Sequence, residues 1–494
     1  MSEITPIPAQ QDPQDSQTAT ISLGLLLLFA LLIRLPAVFF SQGYLFLDEQ
    51  YQYIDPAWHL ATGQSWYEPH EYIRGIRSWI YPGIMSGMFR ALLWLGIEDP
   101  LQLMRGIRGF HALISLIPVA SLWLLLRWKG LPAKRWFLLL AAGNSLAVFA
   151  GVHPNGPYCA AGLSIAAICL FQGPRLWPLL AGLLLGIAFT MRFQDAFFGP
   201  VLFLSGLIAK RYRAIWLLCL GSALVVVWQG VLDTHIYGRF LHSALGYVEY
   251  NFIEEQSSNW KTQPIYFYGL MTLGSLLFIP PLMGTVWQRM REGSRVFPVL
   301  LAAALAYLLL HSIPARKAPR FIVPAILLLW TVLSWRLFDR RQEESWQSAG
   351  HRKLFVSIQL VATVFLSLYF SYSGPINAAL RLREEPELTE LWVVDGSNVS
   401  VGGHLYLNKD RLKVTTMKRH RLARMLDIVD WGSLSHSIFV MLCPSKLEDG
   451  KPLAELDLSK YEDERYQITE LGNFGKWPEH RKRNRRWLYR ITRK

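Results

Sequence analysis

Long apolar runs recur along the first three quarters of the chain, at 20–40, 107–126, 134–151, 157–172, 176–191, 193–209, 214–232, 264–284, 296–313, 320–338 and 353–373. A helix rising 1.5 Å per residue needs about 20 such residues to cross a hydrocarbon core about 30 Å thick, so the pattern predicts transmembrane helices, some a little short. One further apolar stretch, 78–97, is interrupted by Pro82, Gly83 and Arg90. From about residue 374 the pattern changes. LWVVDG (391–396), SIFVMLC (437–443), YQITELGNF (466–474) and RRWLYRI (485–491) predict strands, and HRLARMLDIV (420–429) a helix. The expected fold is therefore all-α and polytopic in the membrane over 20–373, followed by a small α/β soluble domain over 374–494.

Charge orients this set. Arg127, Lys129, Lys134 and Arg135 crowd one short connection, Lys210, Arg211 and Arg213 another, Arg289, Arg291 and Arg295 a third, and Arg336, Arg340, Arg341, Arg352 and Lys353 a fourth. Basic loops face the cytoplasm. Parity then requires that 78–97 does not fully cross, which gives eleven transmembrane helices, an inner amino terminus and an outer carboxyl-terminal domain. Two long connections, 41–77 and 233–263, fall on the outer side; their aromatic content argues for ordered, functional loops. Residues 1–19, rich in Pro and Gln and without Lys or Arg, read as a disordered cytoplasmic tail rather than a signal peptide.

Composition narrows the class. The chain is 52% hydrophobic and 17% charged, too apolar for a soluble enzyme of 494 residues. Its net charge of +14 comes in short clusters between apolar runs, so it marks cytoplasmic loops and argues against nucleic acid as a partner. The four cysteines form neither a CxxC pair nor a disulfide framework.

Candidate chemistry lies in the outer connections. Asp48 and Glu49 stand within a few residues of the first span, where carboxylates are cheap only beside a polar cavity; Asp48 is a candidate general base, the alternative being that the pair caps the next helix. In the same loop Trp66, Tyr67 and Glu68 suit a sugar, and Arg74 and Arg77 suit a phosphate; interfacial packing and snorkelling are the plainer readings. In the second loop Asp233, Tyr237, Gly238, Tyr250 and Asn251 supply groups for sugar hydroxyls, unless that segment is an amphipathic helix lying on the membrane. Between the spans at 296 and 320, Arg316, Lys317 and Arg320, with nearby His311, break the positive-inside bias on the expected outer side. An anionic head group or leaving phosphate explains them, and so does a misread topology. Arg192 reads as the partner of nearby Asp195.

These residues resemble the family 22 glycosyltransferases of the GT-C fold, which include mannosyltransferases of glycosylphosphatidylinositol-anchor and lipid-linked oligosaccharide assembly. The resemblance covers about residues 20–340. It rests on Asp48-Glu49, Gln52, Trp66 with Glu68, Arg77-Ser78 before Pro82, Asp233, Tyr237-Gly238, Tyr250-Asn251-Phe252, and Arg316-Lys317-Ala318-Pro319-Arg320-Phe321 before Pro324. VHPNG at 152–156 echoes a family Pro-Asn-Ser and picks out Asn155. The chain departs from the family where Phe46 and Leu47 replace His-Pro, Arg316 replaces a His, and Ala318 replaces a Glu.

The resemblance implies an integral multi-pass glycosyltransferase, of the mannosyltransferase kind. It would move a sugar with inversion from a polyprenyl- or dolichyl-phosphate donor to a lipid-linked or surface glycan, at a site on the outer or luminal face. Asp48, with Glu49, would carry the catalysis; Arg34, Arg77, Lys317 and Arg320 would hold the donor phosphate; Gln52, Trp66, Glu68, Asp233, Tyr237 and Asn251 would contact sugar or acceptor. No HxxxH or carboxylate cage calls for a cofactor, and a divalent metal, used by some GT-C enzymes, stays open. A polyprenyl-glycan flippase and a surface-polysaccharide polymerase or ligase are the alternative functions. Without a carboxyl-terminal retention signal, a prokaryotic cell membrane is favoured over the endoplasmic reticulum.

Overall fold

The computed structural model describes residues 20–256, 262–277, 291, 294–335, 349–368, 370–409, 412–428, 437–443, 465–474 and 486–493. The expected amino-terminal tail and the basic cluster at 336–341 lie outside the described residues.

Several expected spans are broken by polar residues inside the bundle. The first divides into Leu23–Leu32 and Leu35–Phe40 at Arg34, and the second, which starts earlier than the apolar pattern suggests, into Pro100–Ile114 and Leu116–Trp128 at Ser115. The two breaks meet. Arg34 donates to Ser115 Oγ at 2.7 Å and to the carbonyls of Ala30 and Ala142 at 2.7 and 3.0 Å, so a buried guanidinium satisfies carbonyls that broken helices leave open. The third breaks at Asn144, whose side chain caps Ser145–Val152. That helix is bent by 119° from Gly156–Phe171, the most completely buried helix of the bundle.

Helix–helix contact without a hydrophobic driving force relies on small residues. Trp177–Met191 crosses Tyr212–Tyr237 where Gly182 faces Gly221. A Cβ on Gly182 would lie 2.2 Å from the Leu218 carbonyl oxygen, and one on Gly221 would lie 2.3 Å from that of Leu179, so only glycine lets these backbones meet. Leu25, Leu28, Leu220, Leu224, Val361 and Phe365 are exposed, as suits side chains facing lipid. Among the described residues, Leu23–Phe40, Pro100–Trp128 and Tyr212–Tyr237 are long and apolar enough to span a membrane, and the bent pair adds a fourth candidate. Most of the remaining apolar helices are shorter. The helix Ile80–Trp94 buries Tyr81, Met85 and Phe89 and exposes Gly83, Gly87, Arg90 and Trp94, a one-sided pattern.

The carboxyl-terminal part forms a five-stranded mixed sheet in the spatial order 413–417, 390–394, 437–442, 486–493, 466–474. Its first three strands are parallel. Both faces of the central strands are covered, which explains their unbroken apolar sequences. Leu391, Val393, Phe439 and Met441 pack towards helix Ser373–Arg383, and Trp392, Val394, Ile438 and Val440 towards Leu422–Ile428. The edge strand Lys413–Met417 buries only Met417 and carries too little apolar signal to be read from sequence.

Candidate functional site

Asp48 opens a helical run that continues through a wide turn at Gln50–Ile54 into Asp55–Thr62. Phe46 precedes it in extended conformation, and one third of the Asp48 side chain is exposed. Its Oδ2 accepts from Arg320 Nη2 at 2.6 Å. The Arg320 guanidinium packs over the rings of Phe46 and Phe321, 4.7 and 5.1 Å from their centroids, contacts that suit a weakly hydrated, planar cation.

Asp48 and Arg320 line a cavity of about 880 Å³. Each long connection contributes to its wall: Tyr51, Gln52, Glu71 and Arg77 from the first, Tyr247, Tyr250, Asn251 and Phe252 from the second, and Pro314–Phe321 in part from the third. Arg192 joins them at the end of Trp177–Met191, and Val399 from the turn Asn398–Ser400 that follows strand 390–394.

Four arginines, 77, 192, 316 and 320, share this space with Asp48, Glu71 and Glu255. Arg192 is almost fully buried. Its Nη2 meets His311 Nε2 at 3.1 Å and its Nε lies 3.6 Å from Asp195, while its Nη1 has no hydrogen-bond partner in the protein. Asp195 is itself held by Tyr307 and Ser164, at 2.7 and 2.8 Å. The ion pair expected for Arg192 is therefore present but does not use up the guanidinium. Burial works to lower Arg77, but Tyr53, Glu71, Tyr247 and Asp48 outweigh it and hold that cation above its ordinary value. Burial pulls Arg316 down, Asp48 and Tyr247 oppose that, and the repulsion of Arg320 and Arg77 adds to it. An anion entering the cavity would relieve that repulsion and satisfy the open Nη1.

Other expected site residues stand elsewhere. Glu49 points away from Asp48 into the interior, as adjacent residues at a helix start must: its carboxylate accepts from Leu45 N–H and meets His153 Nδ1, both at 3.0 Å, and His153 Nε2 reaches Ser41 Oγ at 3.1 Å. This closed chain anchors the Asp48 turn and leaves Glu49 no access to the cavity. Arg34 is consumed in the helix breaks. Lys317 donates to the carbonyls of Gln263 and Pro314, at 3.0 and 2.6 Å, and so closes its own loop instead of lining the cavity.

Asp233 is buried and saturated, accepting from Gln229 Nε2 at 2.6 Å and from the amide and hydroxyl of Ser243 at 2.9 and 2.6 Å. Ser78 joins the network through Gln229, at 2.5 Å. Tyr237 accepts from Trp79 Nε1 at 2.8 Å and donates to the Arg77 carbonyl at 3.4 Å. Asp233 and Tyr237 thus dock the second connection on the first and do not line the cavity. Trp66 sits in an aromatic cluster with His59, Tyr72 and Trp79, and Glu68 is exposed outside the cavity. Gln52 does reach the wall, where it donates to Glu71 at 2.7 Å, and Asn251 reaches it too. Asn155 is buried with neither amide atom hydrogen-bonded, and does not line this cavity.

Glu71, Tyr247 and Val399 were missed from sequence. Glu71 and Tyr247 have no spacing signal of their own, and Val399 reaches the site only because the carboxyl-terminal sheet docks beside it. Among the described residues, no three His, Cys, Asp or Glu side chains gather as a metal cluster would.

The model of the Alg9-like mannosyltransferase family matches residues 25–395. A GPI mannosyltransferase 3 of Yarrowia lipolytica is 24% identical over 359 residues, covering 70% of this chain and 67% of that protein. The Arabidopsis thaliana Dol-P-Man:Man(7)GlcNAc(2)-PP-Dol alpha-1,6-mannosyltransferase is 30% identical over 173 residues, 33% of each chain. Among solved structures, ArnT from Cupriavidus metallidurans bound to undecaprenyl phosphate superposes with a TM-score of 0.66 at 13% identity, over 95% of this chain and 98% of that one. The likeness to ArnT is one of fold, and it embraces the carboxyl-terminal sheet. Both relatives are eukaryotic, so they lend no support to the expected prokaryotic membrane.

Proposed function

The chain belongs to the Alg9-like mannosyltransferase family, a family of glycosyltransferases, and from that premise we propose that it transfers mannose from a polyprenyl- or dolichyl-phosphate donor to a lipid-linked glycan, with inversion. The flippase alternative is not favoured within a family of transferases. The observation that carries the reading is the pairing of Asp48 with Arg320 on the wall of a large cavity, beside Arg192, Arg316 and Arg77.

The acceptor hydroxyl attacks the anomeric carbon while Asp48 takes its proton, and the bond from that carbon to the phosphate oxygen breaks. The leaving polyprenyl phosphate gains negative charge as it departs. Arg320 and Arg192, with Arg316 and Arg77, offset that charge by charge-assisted hydrogen bonds. Arg320 binds Asp48; donor phosphate competes for the same guanidinium and frees the carboxylate to act as base. Backside displacement converts a β-linked donor into an α-linked product.

The donor's tail requires a membrane site, and the charge pattern supports reading this one on the outer or luminal face. We read the chain as eleven crossings with 78–97 lying as an amphipathic helix at the surface, and with 374–494 outside. Its one-sided burial supports that assignment of Ile80–Trp94.

Purified protein in nanodiscs, supplied with polyprenyl-phosphate-mannose and a lipid-linked glycan, is expected to release polyprenyl phosphate only when the glycan is present. Release from none of a panel of polyprenyl-phosphate sugars would refute the reading.

A further inference from the structure

The family match ends at residue 395, yet the wall of the cavity does not. The segment after strand 390–394 turns back on the helical run that carries Asp48. The contact is intimate. The Tyr51 hydroxyl donates to the Val399 carbonyl at 3.0 Å. The amides of His404 and Leu405 both donate at 3.1 Å to the buried carboxylate of Asp55, which also accepts from Gln50 Nε2 at 2.8 Å. His404 Nε2 receives the Tyr67 amide at 3.0 Å, and Gln64 donates to Asn408 at 2.8 Å.

Two glycines make the approach possible. Gly402 and Gly403 have φ of +93° and +114°, where side chains are strained. A Cβ at Gly402 would meet the Pro375 carbonyl oxygen at 2.3 Å, and one at Gly403 would meet Gln50 Nε2 at 2.3 Å. From the other side, Arg486 in the last strand donates to the Ser400 carbonyl at 3.1 Å, so the segment is pinned between the sheet and the helical run.

Asp48 meets the arginine wall through Arg320, and Tyr51, one turn on, meets the segment that brings Val399 into the cavity. An inverting displacement puts the attacking hydroxyl and the leaving phosphate on opposite sides of the anomeric carbon. With phosphate on the arginines, the acceptor's approach belongs to a part of the wall without them, and Val399 is such a part.

We infer that Val399, carried into the cavity wall by the segment that follows strand 390–394, is a specificity-determining residue for the glycan acceptor, with Asp55, Tyr51 and His404 as its positioning residues. The inference rests on the transferase reading above. It assigns the donor to the part shared with the family and the choice of acceptor to a part beyond the matched stretch.

The test is steady-state kinetics of wild type, Val399→Trp and Val399→Ala in nanodiscs, with polyprenyl-phosphate-mannose and a lipid-linked glycan varied separately. Val399 is half-buried at the cavity surface, so a larger side chain extends into the cavity rather than into a packed core. The KM for acceptor is expected to rise about tenfold or more in Val399→Trp, the scale of a steric misfit in a shaped pocket, with the KM for donor within twofold of wild type. In Val399→Ala the ratio of efficiencies with a bulkier and a smaller acceptor glycan is expected to shift towards the bulkier one. Loss of folded Val399→Trp would leave the decision to Val399→Ala. An unchanged acceptor KM and acceptor ratio, or a rise in donor KM equal to that in acceptor KM, overturns the inference while leaving the transferase reading intact. Wild type inactive with every polyprenyl-phosphate sugar overturns both.

Discussion

Asp48 and Arg320 are 272 residues apart in the chain, and their side chains meet at 2.6 Å on the wall of a cavity of about 880 Å³. A carboxylate in contact with one cation among four is restrained without being enclosed, which is the arrangement a base needs before an anionic donor enters.

Asp48→Asn keeps the side chain's size and removes its basicity. Its turnover is expected to fall by about 10² to 10⁴, the usual contribution of a general base, with the variant still monodisperse and donor binding largely kept. Turnover within about threefold of wild type would remove Asp48 from the chemistry.

The cations divide into those that reach the cavity and those that do not. Arg320→Lys and Arg192→Lys lose the planar fork, and each should lower kcat/KM for donor by about tenfold to 150-fold, the equivalent of roughly 1.5–3 kcal/mol for a charge-assisted contact. Lys317→Ala should change donor kinetics by less than about threefold, because the ammonium is occupied by the Gln263 and Pro314 carbonyls. A large donor defect in Lys317→Ala with normal Arg192→Lys would reverse that division.

Asp233→Ala leaves the amide of Ser243 and the side chain of Gln229 without their buried acceptor. The expected cost is about 1–3 kcal/mol for each stranded group, seen as a lower Tm in detergent, with acceptor KM of the folded fraction unchanged. An acceptor KM raised tenfold at unchanged Tm would instead return Asp233 to the sugar site.

Burial holds His404 below the ordinary imidazole value, with Asp55 pulling partly the other way. Between those two values the unfolded chain binds more protons than the folded one, so this group's contribution rises with pH through the window and is lost as pH falls through it. Asp55, raised by burial, gives the opposite slope between its ordinary and raised values. The imidazole part is therefore read as a difference. On going from about pH 7.5 to 5.5 the Tm of wild type should fall further than that of His404→Gln, since protonation of Nε2 removes the acceptor of the Tyr67 amide. Equal falls would show that the imidazole does not titrate with unfolding in that range.

What one-dimensional pattern determined here is what depends on local physics. Apolar runs long enough for a bilayer, strands with unbroken apolar faces and the clustering of Lys and Arg all follow from transfer free energies of neighbouring residues, and the carboxyl-terminal strands at 390–394, 437–442 and 466–474 lie within two residues of their expected bounds. Asp48 and Arg320 were visible because each sits in a motif-sized run of polar residues beside a span.

Side-chain direction was decided only in three dimensions. Asp48 and Glu49 are neighbours in sequence, yet a helix start turns one towards the cavity and the other to His153. Arg34 and Lys317 carry the right charge for a phosphate, but carbonyls freed by a helix break and by a tight loop claim them first. Asp233 resembles a ligand until Ser243, ten residues on, folds back to saturate it. Arg192 gained a place in the site because its geometry leaves Nη1 open, which no pairing with Asp195 in sequence could show. Val399 belongs to the cavity through the docking of the segment after strand 390–394, where the amides of His404 and Leu405 find their acceptor in Asp55, some 350 residues earlier. Hydrogen-bond partners compete for every buried polar group, and the outcome of that competition is a property of the packed molecule.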